Sequence, residues 1–276
     1  MNIFSYFKKK QSNIDYDTDL IKLLTQKNSN FQEILNSNIF SKILRTQSEE
    51  IFYEKSDVLV LAPHPDDEVI GCGGSMELLK KNDSSIQVVY LSNGIPDKGE
   101  EIKKQILKRK QEAIELNQYK KFNTPVFFDL ETRKIEFNYT EKINELKKII
   151  SQIKPNLIFV PFVVDRVNDH QFANKLLYNS LKDITYENCF IYSYQVSNFI
   201  KLNSYVDITN VFSDKIEMMR FYKSVLEKTN YINLFKGLNL YNSFFVKNRN
   251  LKEEKYYEVF LKQKIKDYLK ICELIF

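Results

Sequence analysis

Asp57-Val58-Leu59-Val60-Leu61-Ala62-Pro63, DVLVLAP, is the stretch that decides the fold. An apolar run bounded by a charge and a proline, with no polar residue alternating through it, reads as a strand covered on both faces. Three later stretches repeat the type: IQVVYLS (86–92), PVFFDL (125–130) and NLIFVPF (156–162). Helical periodicity fills the gaps, over Val69 to Lys81, Gly99 to Gln118 and Tyr139 to Ile153, and a further helix is expected from Asp169 to Leu181. Buried strands alternating with helices imply right-handed crossovers. The fold class expected is therefore α/β, a Rossmann-like, mostly parallel sheet flanked by helices.

Outside that frame the pattern changes. Residues 1–52 place leucines, isoleucines and phenylalanines at helical spacing, which predicts a helical N-terminal extension. Residues 53–276 are expected to form a single α/β domain with a C-terminal helical portion from about residue 211. Within it CFIYSYQV (189–196) and YVDI (205–208) read as strands, and NVFSDKIEMMRFYKSVLEK (210–228) as a helix. The final stretch, KEEKYYEVFLKQKIKDYLKICELIF, gathers Tyr257, Phe260, Leu261, Ile265, Tyr268, Leu269 and Cys272 near one helical face.

Composition excludes several classes. Of 276 residues, 43% are hydrophobic and 28% charged, as in ordinary globular proteins. Lys+Arg of 41 against Asp+Glu of 36 leaves a net charge of +5, spread without a dense basic face, so no nucleic-acid partner is expected. No apolar run is long enough for a transmembrane segment. MNIFSYFKKK carries its charge after its apolar residues, the reverse of a secretory signal, and a cytoplasmic location is expected. Three scattered cysteines, Cys72, Cys189 and Cys272, fit small buried side chains better than a disulfide framework or a cysteine-built zinc site.

The chemistry sits directly behind the first strand. Pro63 to Glu68, PHPDDE, places an imidazole and three acids where open parallel sheets bind ligands, beyond the carboxyl ends of strands. A second cluster, PFVVDRVNDH (161–170), follows the fourth strand, and the chain's only two histidines, His64 and His170, fall one in each. His64, Asp67 and His170 make a three-ligand set of the kind that holds catalytic zinc with a position left open. Two adjacent aspartates point different ways from a turn and can divide the work: one can bind metal while the other accepts the proton of a water that zinc acidifies. The plainer reading of Asp66 and Glu68 is that they cap the helix starting near Val69. GCGGS (71–75) lacks the third glycine of a dinucleotide fingerprint, because Met76 stands in its place. These glycines are expected instead to allow close helix packing behind the site.

PHPDDE followed by GCGG, with a later Asp-His pair behind a proline-bearing strand, resembles the LmbE-like/PIG-L family of metal-dependent N-acetylglucosaminyl-type deacetylases. The likeness runs from about residue 56 to 262 and takes in Arg109 with Glu112 and Ala113, VDITNVFSDKIEMMRFYKS (206–224) and YYEVF (256–260). It implies His64, Asp67 and His170 as metal ligands, Asp66 as general base and Asp169 as a partner orienting His64 or His170. It implies zinc as cofactor, with ferrous iron suited to the same donors. The substrate implied is a small N-acetylated sugar, nucleotide sugar or glycoconjugate that loses its acetyl group. Where the family carries a first histidine, this chain has Val167, and Asp165 or Arg166 would substitute for the missing donor. Arg109 and the loop SNGIPDKGE (92–100) would hold sugar hydroxyls. A catalytically weak or silent sugar- and metal-binding homologue, or an amidase on another N-acyl substrate, fits the same motifs.

Overall fold

The computed structural model describes residues 49–276 apart from 97–98, 136–138, 185, 187, 198–202 and 247–252. The helical extension expected over 1–52 lies outside the described residues up to residue 48. Its last part is not helical, since Glu49–Glu50 form a short strand, β1.

The predicted α/β frame is present. DVLVLA is β2 (Asp57–Ala62), and Val58 to Ala62 are all 0% exposed, which confirms burial on both faces. Next come α1 (Asp67–Lys81), β3 (Ser85–Ser92), α2 (Glu100–Tyr119), β4 (Val126–Leu130), α3 (Thr140–Ile153), β5 (Leu157–Pro161) and α4 (Asn168–Leu181). The second half holds β6 (Phe190–Tyr194), β7 (Ser204–Asp207), α5 (Phe212–Phe221), α6 (Lys223–Leu226), α7 (Tyr231–Asn242), β8 (Tyr257–Lys264) and α8 (Ile265–Ile275).

The eight strands form one sheet in the order β1-β7-β8-β6-β5-β2-β3-β4. From β2 the chain winds outward through β3 to β4, then returns to place β5 on the other flank of β2. The parallel pair β2/β5 is thus the point where the winding direction reverses. At such a point the loops leaving two neighbouring strands diverge and open a crevice. Here those loops are Pro63–Asp66 and Phe162–Val167, the two clusters singled out by sequence.

Besides β1, two elements depart from expectation: the helix read over 210–228 is broken at Tyr222 into α5 and α6, and the other departure is at the C-terminus. Residues 257–264, read as part of a helix, form β8, inserted antiparallel between β6 and β7. Five consecutive residues, Tyr257 to Leu261, are buried, so both faces of the strand are covered. A strand covered on both faces shows no alternation, and its apolar positions run into the true helical period of α8.

Candidate metal centre at the sheet switch point

α1 opens straight from the PHPDDE turn. Asp66, the residue before it, has φ 129°, a conformation that side-chain-bearing residues adopt only under constraint from their surroundings. The constraint is visible: the Asp66 amide donates to Glu68 Oε2 at 3.0 Å, and its carbonyl accepts from Val69 (3.1 Å) and Ile70 (3.0 Å). The Asp66 side chain makes no capping bond, whereas Glu68 caps the helix start through its Oε2 bond to the Asp66 amide. The other Glu68 oxygen is turned inward, Oε1 accepting from the hydroxyls of Tyr90 (3.0 Å) and Tyr222, while Asn117 Nδ2 donates to Tyr90. Burial pushes the Glu68 carboxyl up to about 7, against the pull of the Tyr222 hydroxyl.

The two histidines meet across Asp67. Asp67 Oδ2 lies 3.1 Å from His64 Nδ1 and 3.3 Å from His170 Nε2, and it accepts from the His64 amide at 2.9 Å. The outer ring nitrogens have carboxylate partners of their own. His64 Nε2 is 2.9 Å from Asp169 Oδ2, and His170 Nδ1 is 3.1 Å from Asp165 Oδ1. The carboxylates are fixed in turn: Asp169 accepts from the Arg133 amide at both oxygens, and Asp165 from the amides of Val167 and Ser197. Such outer partners hold a proton on the far nitrogen and leave the inner lone pair for a cation.

The donor set suits a tetrahedral cation. Bonds of about 2.0–2.1 Å give ligand-to-ligand edges of about 3.3 Å, close to the separations from Asp67 to each imidazole. The ligand atoms of all three residues lie within 4.8 Å of one another. The electrostatics agree. Burial alone would push both imidazoles down, but Asp67 and the outer carboxylates reverse this, raising His64 to about 9 and His170 to about 10. Burial also opposes the Asp67 charge, yet the His170 and His64 rings hold its carboxyl well below the usual range. The field at this place favours positive charge.

Asp66 stands in the opposite state. Burial and the charge of Asp67 push its carboxyl well above the ordinary value, against the attraction of Arg109 and His64. Arg109 is 7% exposed and donates to the Gly94 carbonyl at 3.2 Å. Gly94, at φ +72°, lies against both: a β-carbon there would come within 2.7 Å of Arg109 Nη1 and 3.0 Å of His64 Cβ. Asp129, at the end of β4, pairs with Lys110 on the surface and does not line the cavity.

These groups form the floor of a cavity of about 580 Å³. Val167 and Arg166 line it from the second loop, and the far wall comes from Val225, Tyr231, Leu234, Phe235 and Leu238. Sequence reading found the floor but missed this wall, because Val225 falls just past the stretch that carries the resemblance and α7 carries no motif. It also left open which imidazole Asp169 serves, and it offered Asp165 as a stand-in for the missing histidine. Asp169 serves His64, and Asp165 is committed to His170. Glycines 71–75 pack as expected: a β-carbon on Gly71 would land on the Tyr194 ring, and one on Gly74 would come within 2.7 Å of Ile208 Cγ2. Among the described residues no helix is long and apolar enough to cross a membrane.

Residues 59–181 match the family of GlcNAc-PI de-N-acetylases, PIG-L. A diacetylchitobiose deacetylase of Thermococcus kodakarensis is 29% identical over 220 residues, 71% of this chain and 79% of its own. Among solved structures, the N,N'-diacetylchitobiose deacetylase of Pyrococcus horikoshii shares the fold, with TM-score 0.61 and 20% identity over 92% of this chain and 94% of that one. A 4-carboxy-2-hydroxymuconate hydratase from Pseudomonas putida KT2440 is as similar in fold, with TM-score 0.62 and 16% identity over 76% and 96%. Fold alone therefore leaves the reaction open, and the residues of the site must decide it. The segment that matches the PIG-L family, residues 59–181, carries His64, Asp67, His170 and both of their outer carboxylates.

Proposed function

We propose that this chain is a metal-dependent amide hydrolase that removes the acetyl group from the N-acetyl amine of a sugar or sugar conjugate. The observation that carries the proposal is the pairing, on one cavity floor, of a His64–Asp67–His170 cluster with a second, differently charged carboxylate, Asp66. Binding a cation needs only the first three. A carboxyl kept high beside a carboxylate kept low is the arrangement of an acid–base pair, with roles divided by environment.

His64 Nδ1, Asp67 Oδ2 and His170 Nε2 would hold the metal, which we take to be zinc, ferrous iron being the alternative for the same donors. When bound, the metal supplies Lewis acidity, acidifying water to a pKa of about 7 and polarising the acyl oxygen. Asp66 takes the proton of the attacking water, then returns it to the departing amine nitrogen. Its raised proton affinity suits it to holding and then returning that proton. Asp165 and Asp169 keep the imidazoles in the tautomer that leaves their inner nitrogens free. Arg109 biases Asp66 toward its charged form. Tyr231, whose phenol is kept neutral by burial and by Asp66 and Asp67, is a donor on the facing wall.

A second reading rests on Val167. It lines the cavity where the family resemblance places a histidine, and an apolar side chain offers no proton to an oxyanion or an amine. Loss of one such donor lowers turnover by about two to three orders of magnitude. That reading makes the chain a sugar-binding homologue of weak or no activity. One assay decides between them. N-acetylated sugars, nucleotide sugars and glycolipids are incubated with the protein plus zinc, or plus chelator, and both acetate and free amine are measured. Chelator-sensitive release of equal amounts supports hydrolysis. Binding without release supports the second reading.

A further inference from the structure

We propose that a buried ion pair, Lys215–Glu258, is the positioning device of the metal-binding turn, and that it joins this turn to the substrate wall. The inference rests on the metal reading of His64, Asp67 and His170. α1 is broken at Cys72 (φ −144°, ψ 19°). In an unbroken helix the Gly74 amide would donate to the Ile70 carbonyl, and the Ser75 amide to that of Gly71. Instead Gly74 donates to Glu258 Oε1 at 2.8 Å and Ser75 to Glu258 Oε2 at 2.8 Å, with the Ser75 hydroxyl on the same oxygen at 2.6 Å. The freed Ile70 carbonyl accepts from Lys215 Nζ at 2.9 Å. Lys215 and Glu258 meet at 2.7 Å, both side chains at 0% exposure.

The pair therefore fills the gap in the helix, with its carboxylate on the freed amides and its ammonium on a freed carbonyl. Glu258 also places negative charge at the new helix start, where the macrodipole favours it. A buried ion pair is a poor source of stability unless every lone pair and proton is satisfied, and is better explained by the geometry it enforces. Here the geometry enforced is the break, which leaves the single turn Asp67–Gly71 free to aim Asp67 between the two imidazoles. The third ammonium proton of Lys215 goes to Asn239 Oδ1 at 3.0 Å. Asn239 belongs to α7, whose Tyr231, Leu234, Phe235 and Leu238 form the cavity wall. One ammonium thus ties the metal turn to that wall.

The test is metal titration of the full chain after chelator stripping, read by cobalt absorption and by competition for zinc. Glu258→Gln keeps the size of the side chain and removes the charge. It is expected to weaken metal binding about 10–100-fold, as loss of an outer-sphere partner does. Leu146→Ala, in α3, lowers thermal stability from a remote site and should leave metal affinity unchanged. Wild-type affinity in Glu258→Gln overturns the proposal, whatever its thermal midpoint, whereas absence of binding in the wild type overturns the metal reading itself. The exchanged pair, Lys215→Glu with Glu258→Lys, keeps the attraction but opposes both freed groups, so it should not restore affinity; recovery overturns the proposal. If Glu258→Gln does not fold, hydrogen exchange on the wild type decides. Zinc should slow exchange at the Gly74 and Ser75 amides at least tenfold, and no change overturns the coupling.

Discussion

Replacing Asp66 by asparagine separates the chemistry from the fold. The substitution keeps the side-chain volume and the backbone bonds that hold the turn, from the Asp66 amide to Glu68 and from Val69 and Ile70 to its carbonyl. Asparagine tolerates positive φ at least as well as aspartate. Among the described residues no hydrogen bond reaches the Asp66 carboxylate, so no buried donor is orphaned. Burial and Asp67 raise its proton affinity. An acid whose folded pKa lies above its unfolded value destabilises the fold at neutral pH, and removing it leaves the thermal midpoint unchanged or higher. Catalysis moves the other way. Loss of a positioned acid–base group lowers kcat about 10²–10⁴-fold, or about 2.7–5.4 kcal/mol at about 1.36 kcal/mol per decade. Acetate release at saturating substrate measures kcat, elemental analysis gives metal content, and a melting curve gives Tm. Activity within tenfold of wild type would remove Asp66 as the base. Loss of activity together with metal, or with a fall in Tm, would mean that the substitution had damaged the site rather than the chemistry.

His170→Ala removes a proposed ligand and leaves Asp165 without its imidazole; metal per chain should fall below one tenth of wild type, and full occupancy would reject His170 as a ligand. In the metal-free protein His64 and His170 have raised pKa values of about 9 and about 10, so their stabilising contact with Asp67 is complete below the unfolded value near 6.5 and lost as pH climbs through 9 to 10. The metal-free Tm should therefore decline from pH 7 to pH 10, while metal affinity rises over the same interval as the cation displaces those protons; a flat affinity profile contradicts this. Gly71→Ala forces a methyl group into the Tyr194 ring and should cost about 1–3 kcal/mol or more, seen as a lower chemical-denaturation midpoint; an unchanged midpoint would mean that the contact yields freely.

Much of the site was legible because it is local. β2 announces itself as an uninterrupted apolar run, and PHPDDE must lie at its carboxyl end whatever the rest of the chain does. The partnership of His64 with His170 could be inferred from their similar settings behind parallel strands. What sequence could not supply was the division of labour between Asp165 and Asp169. That depends on the facing of two loops across the β2/β5 switch and on backbone amides from Arg133 and Ser197, remote in sequence. β8 escaped for a different reason: a strand covered on both faces has no period of its own, and its neighbour α8 lent it one. The glycines of α1 were correctly assigned to packing, but YYEVF entered only as part of the resemblance, and nothing local to it shows that Glu258 meets the Gly74 and Ser75 amides at the helix break, 184 residues back in the chain.

That dependence bears on the order in which the molecule is made. Glu258 reaches back across 184 residues to Gly74, and β7 pairs with the parallel body of the sheet only through β8. During synthesis β2 to β6 emerge with the crossovers needed to assemble, and the amino acids of the metal cluster are all present by residue 170. The turn that bears Asp67 nevertheless lacks its lock until residues 257–264 have left the ribosome and threaded between β6 and β7. A nascent chain halted before that point would hold His64, Asp67 and His170 but lack β8 and the Glu258 carboxylate that meets the Gly74 and Ser75 amides. If Glu258 positions the turn as proposed, metal capture at full affinity would be a late event in biogenesis, one that waits for this strand.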